Sequence, residues 1–175
     1  MTVEQVILVN ENDEEIGSME KMQAHVEAKL HRAFSVFVFN SKKELMLQQR
    51  AVHKYHSGGL WTNTCCSHPR PGESTKDAAL RRMEEEMGFT CNVEEKLSFL
   101  YCRKLDKGLT ENELDHVFIA HSDTQPVINR EEVESWKYIG LSELRESLKQ
   151  EPELYTEWFK IICEEHWDEI FGELL

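Results

Sequence analysis

No apolar run in this 175-residue chain approaches the roughly 18 residues that a membrane-spanning helix requires, so no membrane association is expected. The opening residues, MTVEQVILVN, carry neither a basic stretch nor a small-residue cleavage pattern. That argues against a secretory leader and for a cytoplasmic protein. Cysteine is scarce: residues 65, 66, 91, 102 and 163 make an odd set with two adjacent. Such a set is a poor disulfide framework and fits a reducing compartment. Cys91, Cys102 and Cys163 read as ordinary buried or half-buried thiols. Nothing repeats internally and nothing resembles a linker. The length suits one domain with one core. No heptad or long exposed apolar stripe demands a second subunit, and a monomer is expected. Positive charge is also short, with 20 Lys and Arg against 33 Asp and Glu. The net charge of -13 argues against nucleic acid as a partner.

What positive charge there is lies in one region. Between Lys21 and Arg82 there are eleven Lys and Arg against four Asp and Glu, with five of the eight His. An acidic chain with one basic, His-rich region suits a small anion bound at one place. Around it, VEQVILVN, RAFSVFVFN, LMLQQR, FTCNVEEKLSFLYCRKL and ELDHVFIAHS read as strands, with shorter strands near LWTNTC and from Trp136 to Ile139. KMQAHVEAKL reads as a short helix or ordered loop, LSELRESLKQ as a helix, and PELYTEWFKIICEEHWDEIF as one long terminal helix. Mixed strands with outer helices imply an α+β sandwich, a mixed sheet with helices on both sides.

The segment TNTCCSHPRPGESTKDAALRRMEEEMGF, from Thr62 to Phe89, is the most informative. Ser74 suits a helix N-cap with Asp77 three residues on, and Gly88 suits the C-terminal stop. Ala79, Met83 and Met87, with Leu80, form the inner face. Arg82, Glu85 and Glu86 share another face. The pattern matches the Nudix box: Gly, five residues, Glu, seven residues, Arg-Glu-apolar-x-Glu-Glu-x-Gly-apolar. Glu73, Arg81, Met83, Glu85, Glu86, Gly88 and Phe89 fit it. Ser67 replaces the Gly, and Arg82 replaces a metal-binding Glu of the hydrolases. WTNTCCSHP, GES, the Arg pair and a later ENE, together with VILVNENDEEIG, EKMQAH and YTEWFKII, resemble the type I isopentenyl-diphosphate isomerases over essentially the whole chain. The resemblance implies a single Nudix-like domain over residues 1–175, with its core at about 30–165.

It also implies isomerisation of isopentenyl diphosphate to dimethylallyl diphosphate through a tertiary carbocation. The alternative is a Nudix hydrolase acting on a nucleoside diphosphate derivative; a binding module that merely kept the fold is a third reading. By resemblance, Cys66 and Glu113 are the opposed acid-base groups, Tyr101 hydrogen-bonds near the Glu113 carboxylate, and Trp158 faces the developing cation. Trp61 helps to wall the pocket. Lys21, Arg50, Lys54 and Arg82 clamp the diphosphate. His25, His31, His68, Glu111 and Glu113 hold a first metal, and three imidazoles with two carboxylates suit Zn²⁺ or Mn²⁺. Glu111 and Glu113 flank Asn112 and point the same way on an extended strand. Glu86, with the Cys66 backbone carbonyl, holds Mg²⁺ together with the diphosphate. His53 and His56 sit in the right region but match no ligand position of the family.

Overall fold

Residues 32–39, dense in Phe and Val, suit a strand covered on both faces, and they lie at the centre of the sheet. In the computed structural model, which describes residues 3–174, β3 (His31–Phe39) pairs with β1 (Gln5–Val9), β4 (Leu45–Arg50), β6 (Cys65–Ser67) and β8 (Thr110–His121). The β3–β8 pairing is parallel; the other three are antiparallel. Beyond them lie β2 (Glu15–Glu20) on β1, β5 (Trp61–Thr62) and β9 (Val133–Ile139) on β4, and β7 (Val93–Lys104) on β8.

Successive β3 side chains point to opposite faces and so enter two cores. Phe34, Val36 and Val38 pack with Met46, Phe118, Ala79, Met83 and Met87 on the side of α2 (Thr75–Met87). Phe37 and Phe39 pack with Leu47, Val117, Phe159, Ile162 and Phe171 on the other side. That face is covered by α3 (Leu141–Gln150), α4 (Glu157–Glu165) and α5 (Trp167–Phe171). The result is the expected α+β arrangement, a mixed sheet between helical layers. Among the described residues no helix is long and apolar enough to cross a membrane.

Helix α2 forms where its local chemistry indicates. The Ser74 hydroxyl accepts a hydrogen bond from the Asp77 amide at 3.1 Å. Ala79, Met83 and Met87 are buried, and Arg82 pairs with Glu85 at 2.6 Å and Glu86 at 2.5 Å on the neighbouring face. Gly88 ends the helix in the left-handed region, with φ of 73°.

The structure adds one element to the sequence reading and breaks another. EEIGSMEK is mostly the strand β2, whose side chains are exposed or half-buried and so lack the alternation that would announce it. The expected long terminal helix is broken into a 3-10 turn (Pro152–Leu154), α4 and α5. The first break has a tertiary cause. The Thr156 amide donates to the Trp61 carbonyl at 3.0 Å and its hydroxyl to the Thr62 hydroxyl at 2.9 Å, which draws Tyr155 and Thr156 into extended backbone.

A Cβ at position 88 would lie 2.4 Å from the Val127 carbonyl oxygen, on top of the conformational penalty of a positive φ. Gly88→Ala is expected to lower unfolding stability by about 2 kcal/mol or more, read from urea denaturation midpoints. An unchanged midpoint would show that the α2 terminus can move without cost.

Candidate active site

Three strand pairings and one short helix bring the candidate residues together. On β8, Glu111, Glu113 and Asp115 share the face that carries Val117 into the core. The parallel register places His31 of β3 opposite Glu113, and Tyr101 of β7 stands opposite the same residue. On the other flank of β3, Cys66 pairs with Ser35. Helix α1 (Lys21–Val26) is capped by the Glu20 carboxylate, which accepts from the amides of Met22 and Gln23, and it supplies Lys21 and His25. One cavity is lined by Cys66, Glu111, Glu113, Tyr101 and Trp158. Lys21, Arg50, Lys54, Arg82, Glu86 and His68 complete its charged wall. His25 and His31 lie fully buried behind it.

The imidazoles are oriented for a cation. The Nδ1–H groups of His25 and His31 donate to the carbonyls of Lys21 and Lys29 at 2.7 and 2.8 Å. A carbonyl only accepts, so in the neutral rings each Nε2 carries a lone pair. Those lone pairs face carboxylates: His31 Nε2 is 3.2 Å from Glu113 Oε1, and His25 Nε2 is 3.9 Å from Glu111 Oε1 with no hydrogen-bond partner. His68 Nε2 lies 2.8 Å from Glu113 Oε1. Lone pairs directed at anionic oxygens repel unless a proton or cation lies between them. A carbonyl on the far nitrogen is also the usual support for a metal-binding His. His25, His31, His68 and Glu113 bring donor atoms within 4.8 Å of one another, and so do His25, His56 and Glu111. The donor set fits a divalent metal.

The electrostatics follow from burial and from this crowding. Burial drives the His25 imidazole down to about 4, and His68 adds to the fall. Burial lowers His68 too, against the opposing Glu113 contact. Burial works the same way on His31, but the Glu113 hydrogen bond and charge, with the Lys29 carbonyl and Glu111, together outweigh it and the net shift is upward. For Glu113, burial favours the neutral form, yet the His31 and His68 hydrogen bonds hold it well below the ordinary carboxylate range. Burial, with Glu113 nearby, pushes Asp115 well above that range; its Oδ2 accepts from the Ser35 hydroxyl at 2.8 Å. The Tyr101 hydroxyl lies 2.5 Å from Glu111 and 2.7 Å from Glu113. A phenol has one proton, so these two carboxylates together call for an additional positive charge.

Burial pushes the Cys66 thiol up, beyond what Arg50 offsets, so it stays protonated at neutral pH. Three of the four basic side chains already hold carboxylates. Lys21 pairs with Glu4 at 2.5 Å, Lys54 with Glu132, and Arg82 with Glu86 at 2.5 Å and Glu132 at 3.3 Å. The Arg50 guanidinium sits 5.2 Å from the Trp158 ring centroid and donates to the His56 carbonyl at 3.1 Å. Buried polar atoms without partners concentrate here: Nε of Arg50 and Arg82, Nε2 of His25 and His56, and Nε1 of Trp158. Each such atom costs on the order of 1–3 kcal/mol, as expected of a pocket shaped for a polar ligand.

Glu4, Glu132, Tyr55, His56, Ser35 and Asp115 were not singled out from the sequence as site residues. The two glutamates look like ordinary solvated charges there, and Tyr55 and His56 lie in a loop without periodicity. His53 is outside the site, with Nε2 on the Glu131 carbonyl at 2.9 Å. Trp61, expected at the pocket wall, packs against the core under Lys137 instead, with Nζ 4.7 Å from its ring centroid.

Residues 29–159 match the NUDIX domain. A protein of Aromatoleum aromaticum named isopentenyl-diphosphate Delta-isomerase 2 is 52% identical over 155 residues, covering 89% of this chain and 82% of its own. The isopentenyl-diphosphate Delta-isomerase of Pectobacterium atrosepticum is 50% identical over 161 residues, covering 92% and 90%. The chain belongs to the isopentenyl-diphosphate Delta-isomerase family. Its fold is also that of DR0079 from Deinococcus radiodurans, with a TM-score of 0.71, 19% identity, and 85% and 90% of the two chains covered. In this chain the box position held by Arg82 carries a guanidinium at the cavity wall.

The buried imidazoles set a pH dependence. The folded protein refuses a proton on His25 until about 4, whereas the unfolded chain takes it up near 6.5. This stability contribution is full above 6.5 and is lost as pH falls toward 4, by on the order of 3 kcal/mol at 1.36 kcal/mol per unit. Chelator-treated protein is expected to melt lower at pH 5 than at pH 7.5, with a smaller drop in His25→Gln. Equal drops in the two proteins would show that His25 is not buried neutral.

Proposed function

We propose that the protein isomerises isopentenyl diphosphate and dimethylallyl diphosphate by proton transfer between Cys66 and Glu113. The observation that carries this reading is the pairing of a thiol held neutral with a carboxylate held ionised on the walls of one cavity. One can give a proton while the other takes one. The reaction adds a proton to the terminal alkene carbon, leaves positive charge on the tertiary carbon, and removes a proton from C2, the carbon between that tertiary carbon and the diphosphate-bearing methylene. Protons gained and lost balance, and nothing is oxidised or reduced overall.

An unactivated alkene is a very weak base, so the site must stabilise the cation it forms. Trp158 serves that purpose. Its ring already attracts the Arg50 guanidinium, and a desolvated cation-π contact contributes about 2 kcal/mol, roughly thirtyfold in rate if gained only in the transition state. Burial of the cavity keeps water from capturing the cation. Tyr101 orients the Glu113 carboxylate through its 2.7 Å contact.

Lys21, Arg50, Lys54 and Arg82 bind the diphosphate, with Arg82 standing where a hydrolase has a metal-binding Glu. His25, His31, His68, Glu111 and Glu113 hold the first metal, Zn²⁺ or Mn²⁺, which supplies positive charge beside the paired carboxylates. Glu86, which accepts from Gln48 at 2.9 Å, holds Mg²⁺ with the substrate. The chain acts as a single-domain cytoplasmic monomer, making a five-carbon unit for isoprenoid synthesis.

Incubation with isopentenyl diphosphate in heavy water, followed by proton NMR, is expected to give deuterated dimethylallyl diphosphate. Release of phosphate or pyrophosphate without that product would replace this reading with hydrolysis. Cys66→Ala is expected to lose about a thousandfold or more in turnover while binding Mg²⁺-pyrophosphate with near-parental affinity. Near-normal turnover would remove the thiol from the mechanism.

A further inference from the structure

The loop between β4 and β5 delivers a fourth imidazole to the cluster. His56 is 1% exposed, and its Nε2 has no hydrogen-bond partner and lies 3.2 Å from Glu111 Oε1. Its Nδ1 is 3.0 Å from the Ser57 hydroxyl. With Nδ1–H donating to that oxygen, Nε2 keeps its lone pair free beside a carboxylate oxygen, close to it but not hydrogen-bonded to it. The ring is held in place from behind, edge-on to Trp158 at 5.7 Å between centroids.

The backbone around His56 is tightly determined. The Ser57 amide donates to Asp106 Oδ1 at 3.0 Å, and the Gly59 amide to the Arg50 carbonyl at 2.9 Å. Ser57 itself has φ of 53°, and a Cβ on Gly58 would approach the Val52 carbonyl oxygen to 2.4 Å. Only glycine permits that close approach. A loop so constrained, ending in a buried imidazole with a free nitrogen, is a built part of the site.

We infer that His56 is a sixth protein donor to the cation cluster, joining through Glu111 and His25, and that it biases the site toward six-coordinate ions. The donors fall into two groups that share His25: one with His31, His68 and Glu113, the other with His56 and Glu111. Zn²⁺ is satisfied by four ligands, whereas Mn²⁺ prefers an octahedral shell. A sixth donor therefore favours Mn²⁺ and gives Zn²⁺ little.

This inference rests on the cation reading of the cluster, and the test separates the two. Chelator-stripped full-length protein is titrated with Mn²⁺ and with Zn²⁺, without substrate, in the parent and in His56→Ala, His53→Ala and His25→Ala. His56→Ala is expected to weaken Mn²⁺ binding at least tenfold and Zn²⁺ binding less than threefold; His53→Ala should change neither. Mn²⁺ affinity within twofold of the parent in His56→Ala, or equal losses for both ions, overturns the role of His56. Unchanged affinities in His25→Ala would instead overturn the cation site itself. If His56→Ala melts well below the parent, His56→Gln, which retains a polar side chain in the loop, takes its place in the same titration, with the same outcomes for and against.

Discussion

The Glu113 carboxylate is bound by two imidazoles and a phenol at the seam where β3 and β8 run parallel. The contact with His31 exists because the parallel register sets those two residues side by side. A one-residue slip would turn Glu113 toward the opposite face and send Phe118 out of its core. Register and chemistry are therefore set together. The apolar residues Phe34, Val36, Val117 and Phe118, which gain most from burial, fix the strand pair, and the ionisable residues at its end are carried into place by the same pairing. Removing a carboxylate and several imidazoles from water is unfavourable. The site can bear it because two well-packed cores lie immediately beyond.

The distribution of unsatisfied atoms fits this division of labour. Among the described residues, buried polar atoms without partners lie around the cavity and its supporting Asp115, with Trp167 Nε1 the exception. Among the described residues, Trp167 is the one core residue away from the cavity that shows such a compromise. A protein that leaves Nε2 of two imidazoles and Nε of two arginines unpaired in one small volume has placed its least stable groups where a charged ligand and cations can satisfy them.

Local signals carried most of the sequence reading. Helix α2 was legible at both ends because a Ser74 cap and a Gly88 stop are decided by a few neighbouring atoms. β3 and β8 were legible from their Phe, Val and Ile content, and many of the residues that line the cavity were pointed to by motifs that resemble a family's. What stayed hidden depends on distant partners. The break at Tyr155 and Thr156 is imposed by Trp61 and Thr62, nearly a hundred positions earlier in the chain. Glu4 and Glu132 reveal nothing until Lys21 and Lys54 are seen against them. His56 sits in a stretch with no periodicity, and its burial depends on the tight turn at Gly58 and on Trp158 from α4.

The carboxylates of Glu4 and Glu132 have one further consequence. Apart from Arg50, the cations of the cavity wall do not present bare positive charge; Lys21, Lys54 and Arg82 are each already paired with a carboxylate. An anion that enters must displace these internal counter-ions, so recognition is an exchange rather than a capture. A singly charged guest replaces one carboxylate with its equal and gains almost nothing. A polyanion that engages several cations at once outcompetes separate, tethered carboxylates. At Lys21, Lys54 and Arg82 that exchange favours polyanions over singly charged ones without any steric gate.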